Sequence, residues 1–166
     1  MGLDIIVYKN VKKVKSDEDF DFSAYVIGSA WDHKIKNLET NALYKGERSD
    51  KSISYPYSVH NRFREHLLKL QDKNYLLKED GTIDWYKLDK EPDIPFYEFI
   101  DFADNEGCMD WETSEIIYNN FKENESQAVR YAKKHVEEEP YFIERYKSWL
   151  NIFKEGKEKG SVVVFT

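Results

Sequence analysis

Apolar residues form two short unbroken runs at the ends of the chain and a set of spaced stripes between them. Leu3-Asp4-Ile5-Ile6-Val7-Tyr8 is rich in β-branched and aromatic residues and predicts a strand that extends toward Val14. Ser161-Val162-Val163-Val164-Phe165, introduced by Gly160, predicts another. Runs of this kind suit interior sheet positions, so both termini are expected in one sheet. Residues 16 to 56 show no sustained periodicity, only weak strand signals at Tyr25-Val26-Ile27 and Lys34-Ile35. That stretch is expected to be a surface excursion, of the sort that sometimes serves as a binding loop.

Helical spacing takes over from Ser58. With Ser58 as N-cap, a helix through Lys73 places Val59, Phe63, His66, Leu67 and Leu70 on one face. Asp80-Gly81 marks a turn, and Ile83-Asp84-Trp85-Tyr86 reads as a brief strand. Phe96, Phe99, Ile100 and Ala103 give a short helix after Pro95. Asp110 is placed to cap a helix carrying Ile117, Tyr118 and Phe121. Asn124 is placed to cap another, with Ala128, Ala132 and Val136 inward, which Pro140 must end. A last helix from Tyr141 carries Phe142, Tyr146, Trp149, Leu150 and Phe153 and stops at Gly156. The expected fold is α+β: one domain over residues 1–166, with a small sheet holding both terminal strands under four or five helices.

The 166 residues suffice for one core without staples. Cys108 is the only cysteine, which excludes an internal disulfide and a cysteine-rich zinc site. No signal-peptide pattern opens the sequence, and no apolar run approaches the roughly 18 residues of a membrane span. A soluble, cytoplasmic protein is expected. The net charge of −7 is unevenly spread, for Asp84 to Glu115 holds eleven acids against Lys87 and Lys90. The rest of the chain, with 21 acids and 23 bases, is close to neutral. Such a patch repels nucleic-acid backbones and suits a cation or a basic protein, or it is only a solvated face.

Within that patch, Phe96-Tyr97-Glu98-Phe99-Ile100-Asp101-Phe102-Ala103-Asp104-Asn105-Glu106-Gly107 gathers acids before a glycine suited to positive φ. Glu98 and Asp101 fall one helical turn apart, and Asp101, Asp104 and Glu106 are the candidate ligands for a hard divalent cation. A calcium loop does not fit, because Phe102 and Thr113 fall where its first and last ligands belong. The same acids also serve as helix caps or solvated surface. A paired-carboxylate acid–base site is a poor match, since such pairs come from separate elements. A second cluster, Tyr57, His60, Arg64 and Glu65, predicts a partly cationic pocket on a helix start, or else arginine stems laid over aromatic core residues. His60 and His66 are six apart, which is not zinc-pair spacing on a helix. Cys108, beside the acids and with His33 and His135 far off in sequence, reads as structural.

The opening Met1-Gly2-Leu3-Asp4, the run Phe102-Ala103-Asp104-Asn105-Glu106-Gly107, and Tyr57 with Asn61, Phe63, Arg64 and Leu67 resemble a group of uncharacterised bacterial and phage-borne proteins. Those begin MGLD and carry a phenylalanine and a small residue before Asp-x-Glu-Gly. After Gly107 this chain departs, with Cys108-Met109-Asp110-Trp111 in place of a small, proline-containing turn. The resemblance implies a related fold and a shared acidic turn, and no activity.

Three functions are therefore expected in competition. The first is a non-catalytic binding protein whose acidic face, 84–115, engages a basic protein partner in a mobile-element or toxin-neutralising setting. The second is a divalent-cation-dependent hydrolase centred on Asp101, Asp104 and Glu106 with His60 or Arg64 nearby. The third is a small-molecule or carbohydrate binder using Trp31, Trp85 or Trp111. The candidate binding residues are Glu98, Asp101, Asp104, Glu106, Tyr57, His60 and Arg64.

Overall fold

Among the described residues, five antiparallel strands form one sheet, with six helices packed against it. The computed structural model describes residues 2–25, 35–102 and 106–166. In chain order the strands are β1 (Gly2–Val14), β2 (Phe22–Ser23), β3 (Leu43–Pro56), β4 (Gly107–Asp110) and β5 (Val162–Phe165), arranged β2-β3-β1-β5-β4. The helices are α1 (Tyr57–Leu70), α2 (Trp85–Leu88), α3 (Tyr97–Ile100), α4 (Trp111–Glu123), α5 (Glu125–Lys134) and α6 (Phe142–Gly156). The α+β expectation holds, and β1 pairs with β5 from Ile5 opposite Phe165 to Tyr8 opposite Val162. The count of helices exceeds expectation by α2, a single four-residue turn where a brief strand was expected.

Both faces of the sheet are covered, and this explains why β5 is apolar at every position. Leu3, Ile5 and Val7 of β1 join Met109, Val163 and Phe165 beneath the helices. On the opposite face Tyr8, Cys108, Val162 and Val164 pack under Phe22, Ala24, Ile35, Ala42 and Tyr44. A strand buried on both sides has no solvent face on which to alternate. Residues 22–25 and 35–44, within the stretch 16–56 expected as a surface excursion, thus contribute a second hydrophobic cluster. The strand signal at Tyr25-Val26-Ile27 is not realised at Tyr25; Val26, Ile27 and Lys34 lie outside the described residues, and Ile35 is buried outside any strand.

The main departure from expectation is β3, fourteen residues long within the stretch read as irregular. It pairs with β1 from Gly2 opposite Pro56 to Val14 opposite Leu43. Beyond Tyr44 it has no second strand neighbour among the described residues, and Lys45, Glu47, Arg48, Asp50 and Lys51 occupy that edge. Charges blunt an edge against further pairing, and they also erase the hydrophobic signature of the strand. Its pairing partner identifies this strand, not its own composition.

Several boundaries move for local reasons. α1 begins at Tyr57, directly after Pro56 and with no side-chain cap, so Ser58 lies inside the helix; it ends at Leu70, short of Lys73. Ile83 makes only an isolated bridge to Leu77, after which Asp84 turns the chain into α2 by accepting from the Lys87 N–H. Asn124 precedes α5, but its side chain donates back to the Asn120 carbonyl and does not cap. α5 ends at Lys134, well before Pro140, which leaves Val136 at 55% exposure and gives its inward place to Tyr131.

The helix layer closes over an aromatic core. Phe99 meets Trp149 edge-to-face at 4.7 Å and Phe121 at 5.5 Å, and Phe96 meets Phe121 at 5.0 Å. Edge-on geometry suits ring quadrupoles. Gly156 is needed for close approach, not for a turn: a Cβ there would lie 2.5 Å from Val163 Cγ2. No described helix is long and apolar enough to cross a membrane.

Candidate functional site

The acidic segment and the α1 cluster do meet, through Arg64. This residue is only 3% exposed, and its Nη1 donates to the carbonyls of Ile100 at 2.9 Å and Phe102 at 2.7 Å. Nη2 donates to Asn61 Oδ1, and the guanidinium lies 5.1 Å from the centroid of the Trp85 ring. Arg64 therefore serves the carbonyl end of α3, where a cation is electrostatically favoured. The arginine-over-core reading of the second cluster holds for it. His60 is also inward, 1% exposed, with its ring 5.5 Å from Phe99 and 5.4 Å from Trp149. Neither His60 nitrogen has a hydrogen-bond partner among the described residues. Tyr57 is half-buried against the core. The partly cationic surface pocket expected from His60 and Arg64 is not formed by them.

The acids divide by environment. Glu98 and Asp101 are half-buried around α3, while Glu106 is exposed and accepts a hydrogen bond from the Tyr25 hydroxyl. Asp104 lies outside the described residues. Gly107 takes the positive φ of +137° foreseen for it. Asp110 is fully buried and leaves the acidic surface altogether. Its Oδ1 accepts from the Thr113 N–H at 3.0 Å, capping α4 as expected. Its Oδ2 accepts from the backbone N–H of Asn37 at 2.9 Å and from Asn37 Nδ2 at 3.1 Å. Among the described residues, no group of three or more His, Cys, Asp or Glu is placed to hold a metal ion. Cys108 is buried, and that burial, reinforced by Asp110, pushes its thiol up to about 12. A thiol so held is not a nucleophile at neutral pH.

Facing solvent beside this segment is a small cleft of about 220 Å³, floored by Ile94, Phe96 and Ile117 and edged by Pro95, Ile116 and Asn120. It is built on a strained residue, since Phe96 holds φ +65° at the start of α3. Its N–H donates to Asn120 Oδ1 of α4 at 2.7 Å, which fixes the two walls together. Left-handed backbone is costly for a bulky side chain and persists only where packing and hydrogen bonds over-determine it. Asp93 and Glu98 lie along one wall, and Glu112 lies one helical turn before the exposed Ile116 on the other. Asp89, Glu91, Asp93, Glu112 and Glu115 make no ion pair among the described residues. Both bases of the segment are engaged locally, Lys87 with Asp84 and Lys90 over the Tyr86 ring at 3.8 Å. Trp85 is 43% exposed, so one of the indoles named for ligand binding is accessible; Trp111 is half-buried, and Trp31 lies outside the described residues.

A third group, which the sequence did not flag, joins α1, α5 and the residues before α6. Glu139 is 5% exposed and pairs with Arg62 at 3.0 Å and with Arg145. His66 lies 4.0 Å from it and bonds Tyr131 through Nδ1 at 2.6 Å. Arg62 and His66 of α1 lie 65 or more positions from the other three, and no local spacing announces the meeting. Burial, then the charges of Lys69 and Arg62, pull His66 down to about 4. The nearby Glu138 and His135 act in opposite senses on it. Burial, then Arg64, holds His60 well below its ordinary 6.5. The unfolded chain therefore takes up protons below pH 6.5 that the native imidazoles refuse, and stability must fall as pH falls. From pH 7.5 to 5.5, above most carboxylate titration, each histidine is expected to cost on the order of 1 kcal/mol. Urea midpoints at the two pH values check this, and His66→Gln should remove about half of the difference.

Comparison with protein-family models, with curated proteins and with solved structures gives no match for this chain.

Proposed function

We propose that the protein is a non-catalytic binding protein whose acidic face between Asp84 and Glu115 docks a basic protein segment. The observation that carries this reading is the cleft between residues 92–98 and α4. At about 220 Å³ it is smaller than the roughly 300 Å³ at which small-molecule sites begin, and it suits one apolar side chain of a partner. Around it stand the exposed carboxylates of Asp93, Glu112 and Glu115, which form no ion pair among the described residues. A lysine- or arginine-rich segment with one apolar anchor complements both features. The groups best suited to chemistry are otherwise committed: His60 to the aromatic core, Cys108 to the sheet and Asp110 to a cap.

The test uses amphipathic Lys/Arg-rich peptides, with and without a Leu anchor, titrated against the wild type and Asp93→Lys/Glu112→Lys/Glu115→Lys. Binding is expected to weaken at least about tenfold in the variant and to fall steeply with added salt. Loss of the Leu anchor should raise the off-rate. Salt-insensitive binding, or binding that the three reversals leave unchanged, overturns the reading.

A further inference from the structure

On the far side of α1 the charge pattern inverts. A pocket of about 380 Å³ opens between the end of α1, the turn at Asp72 and Asn74, and one face of α5. Lys69, Arg130, Lys134 and His135 line it, with Asp72 as its one carboxylate. None of Lys69, Arg130 and Lys134 forms an ion pair among the described residues. In a chain of net charge −7 such an excess of bases over one carboxylate needs a reason.

Helix ends supply only part of it. α1 and α5 both terminate at this pocket, and the partial negative charge of each terminus accounts for Lys69 and Lys134. Arg130 precedes the last turn of α5 and is not explained that way. The terminal carbonyl of α1, which would repel an anion, is already engaged: Gln127 Nε2 donates to Leu70 O at 2.5 Å. Gln127, Arg130, Tyr131 and Lys134 follow helical spacing, so α5 presents them as one wall. That wall is stiffened from behind, where Tyr131 stacks on His135 at 4.2 Å and bonds His66.

We propose that this pocket binds a small molecule carrying one or two phosphate groups, with Lys69, Arg130 and Lys134 meeting the phosphate oxygens. Three cations match the charge of a phosphate dianion better than that of one carboxylate, and the planar fork of Arg130 suits two phosphate oxygens at once. The volume lies within the roughly 300–1,000 Å³ typical of small-ligand sites and leaves room for a modest organic portion. This site is separate from the acidic cleft in residues and in charge.

Isothermal titration with inorganic phosphate, pyrophosphate and citrate, with a single-stranded oligonucleotide as competitor, tests it. The paired variant Arg130→Gln/Lys134→Gln replaces exposed residues by a good helix former, and its urea midpoint should match the wild type. Pyrophosphate is expected to bind more tightly than citrate, with a dissociation constant below about 1 mM that rises at least tenfold in the variant. Any of four results overturns the proposal: no saturation at about 10 mM pyrophosphate, equal binding by the variant, citrate preferred, or oligonucleotide bound through the same residues in place of pyrophosphate.

Discussion

Asp110→Ala is expected to remove on the order of 4–6 kcal/mol, enough to unfold much of a typical domain population. One fully buried carboxylate satisfies three donors: the Thr113 N–H, the Asn37 N–H and Asn37 Nδ2. Loss of a helix cap costs about 1 kcal/mol, and each hydrogen bond from Asn37, itself exposed, to this charged acceptor contributes about 1.5–3 kcal/mol. The damage should not stay at α4. Asn37 belongs to the segment that carries Ile35 and Leu38 onto the second face of the sheet, above Tyr8 and Cys108. Asp110→Asn keeps an acceptor for Thr113 but sets an amide against the Asn37 donors, and about half the loss is expected. Two measurements check the account. Urea unfolding gives the energies, and thiol labelling of Cys108 under native conditions should accelerate at least tenfold in the Ala variant. A loss below about 1 kcal/mol, or unchanged labelling, would show that Asp110 does not hold that cover.

The value of Asp110 was half visible beforehand. Its position before Trp111 and the spacing of Ile117 and Phe121 identified it as a cap, because capping is read from a few consecutive residues. The bond to Asn37, 73 positions away, had no local trace. The same division runs through the fold. β1, β5, α4 and α6 were legible because each buries a continuous run or a regular stripe. β3 was not, since over most of its length only one edge is paired among the described residues and charges fill the other side. α5 was placed but overextended: Pro140 is a certain stop, whereas the actual end after Lys134 is set by Tyr131 turning inward onto His66 and Phe142.

Candidate sites showed a related bias. Residues chosen for chemical type, His60 and Arg64, went inward because their helix positions face the core. The cleft beside Phe96 depends instead on a strained backbone and a bond from Phe96 to Asn120, neither of which composition encodes. The cationic face of α5 is readable as spacing, with Arg130 and Lys134 four apart, but the pocket it lines also needs the end of α1 and the turn at Asp72 and Asn74, which no local spacing encodes.

Arg64→Met is expected to cost on the order of 3–5 kcal/mol, with its first effect on the segment that forms the docking cleft. A hydrogen bond from a charged donor contributes about 1.5–3 kcal/mol, and Arg64 makes two, to the carbonyl of Ile100 at the end of α3 and to that of Phe102 just beyond it. A four-residue helix has almost no stability of its own, because the cost of nucleation is spread over so few bonds. It persists because Arg64 holds its carbonyl end, Asn120 holds the N–H of Phe96, and Phe99 is locked against Trp149. Methionine restores much of the apolar stem and none of the donors. Lysine restores the charge without a planar fork that spans both carbonyls, so less than half of the loss should be recovered. Hydrogen exchange should show protection falling first at residues 97–102, before α4 and α6 respond. If the docking reading is right, the same variant weakens basic-peptide binding under conditions where most molecules remain folded, because the wall bearing Asp93 and Glu98 has lost its anchor. Uniform loss of protection across all helices would instead make Arg64 a general core support with no particular bearing on the cleft.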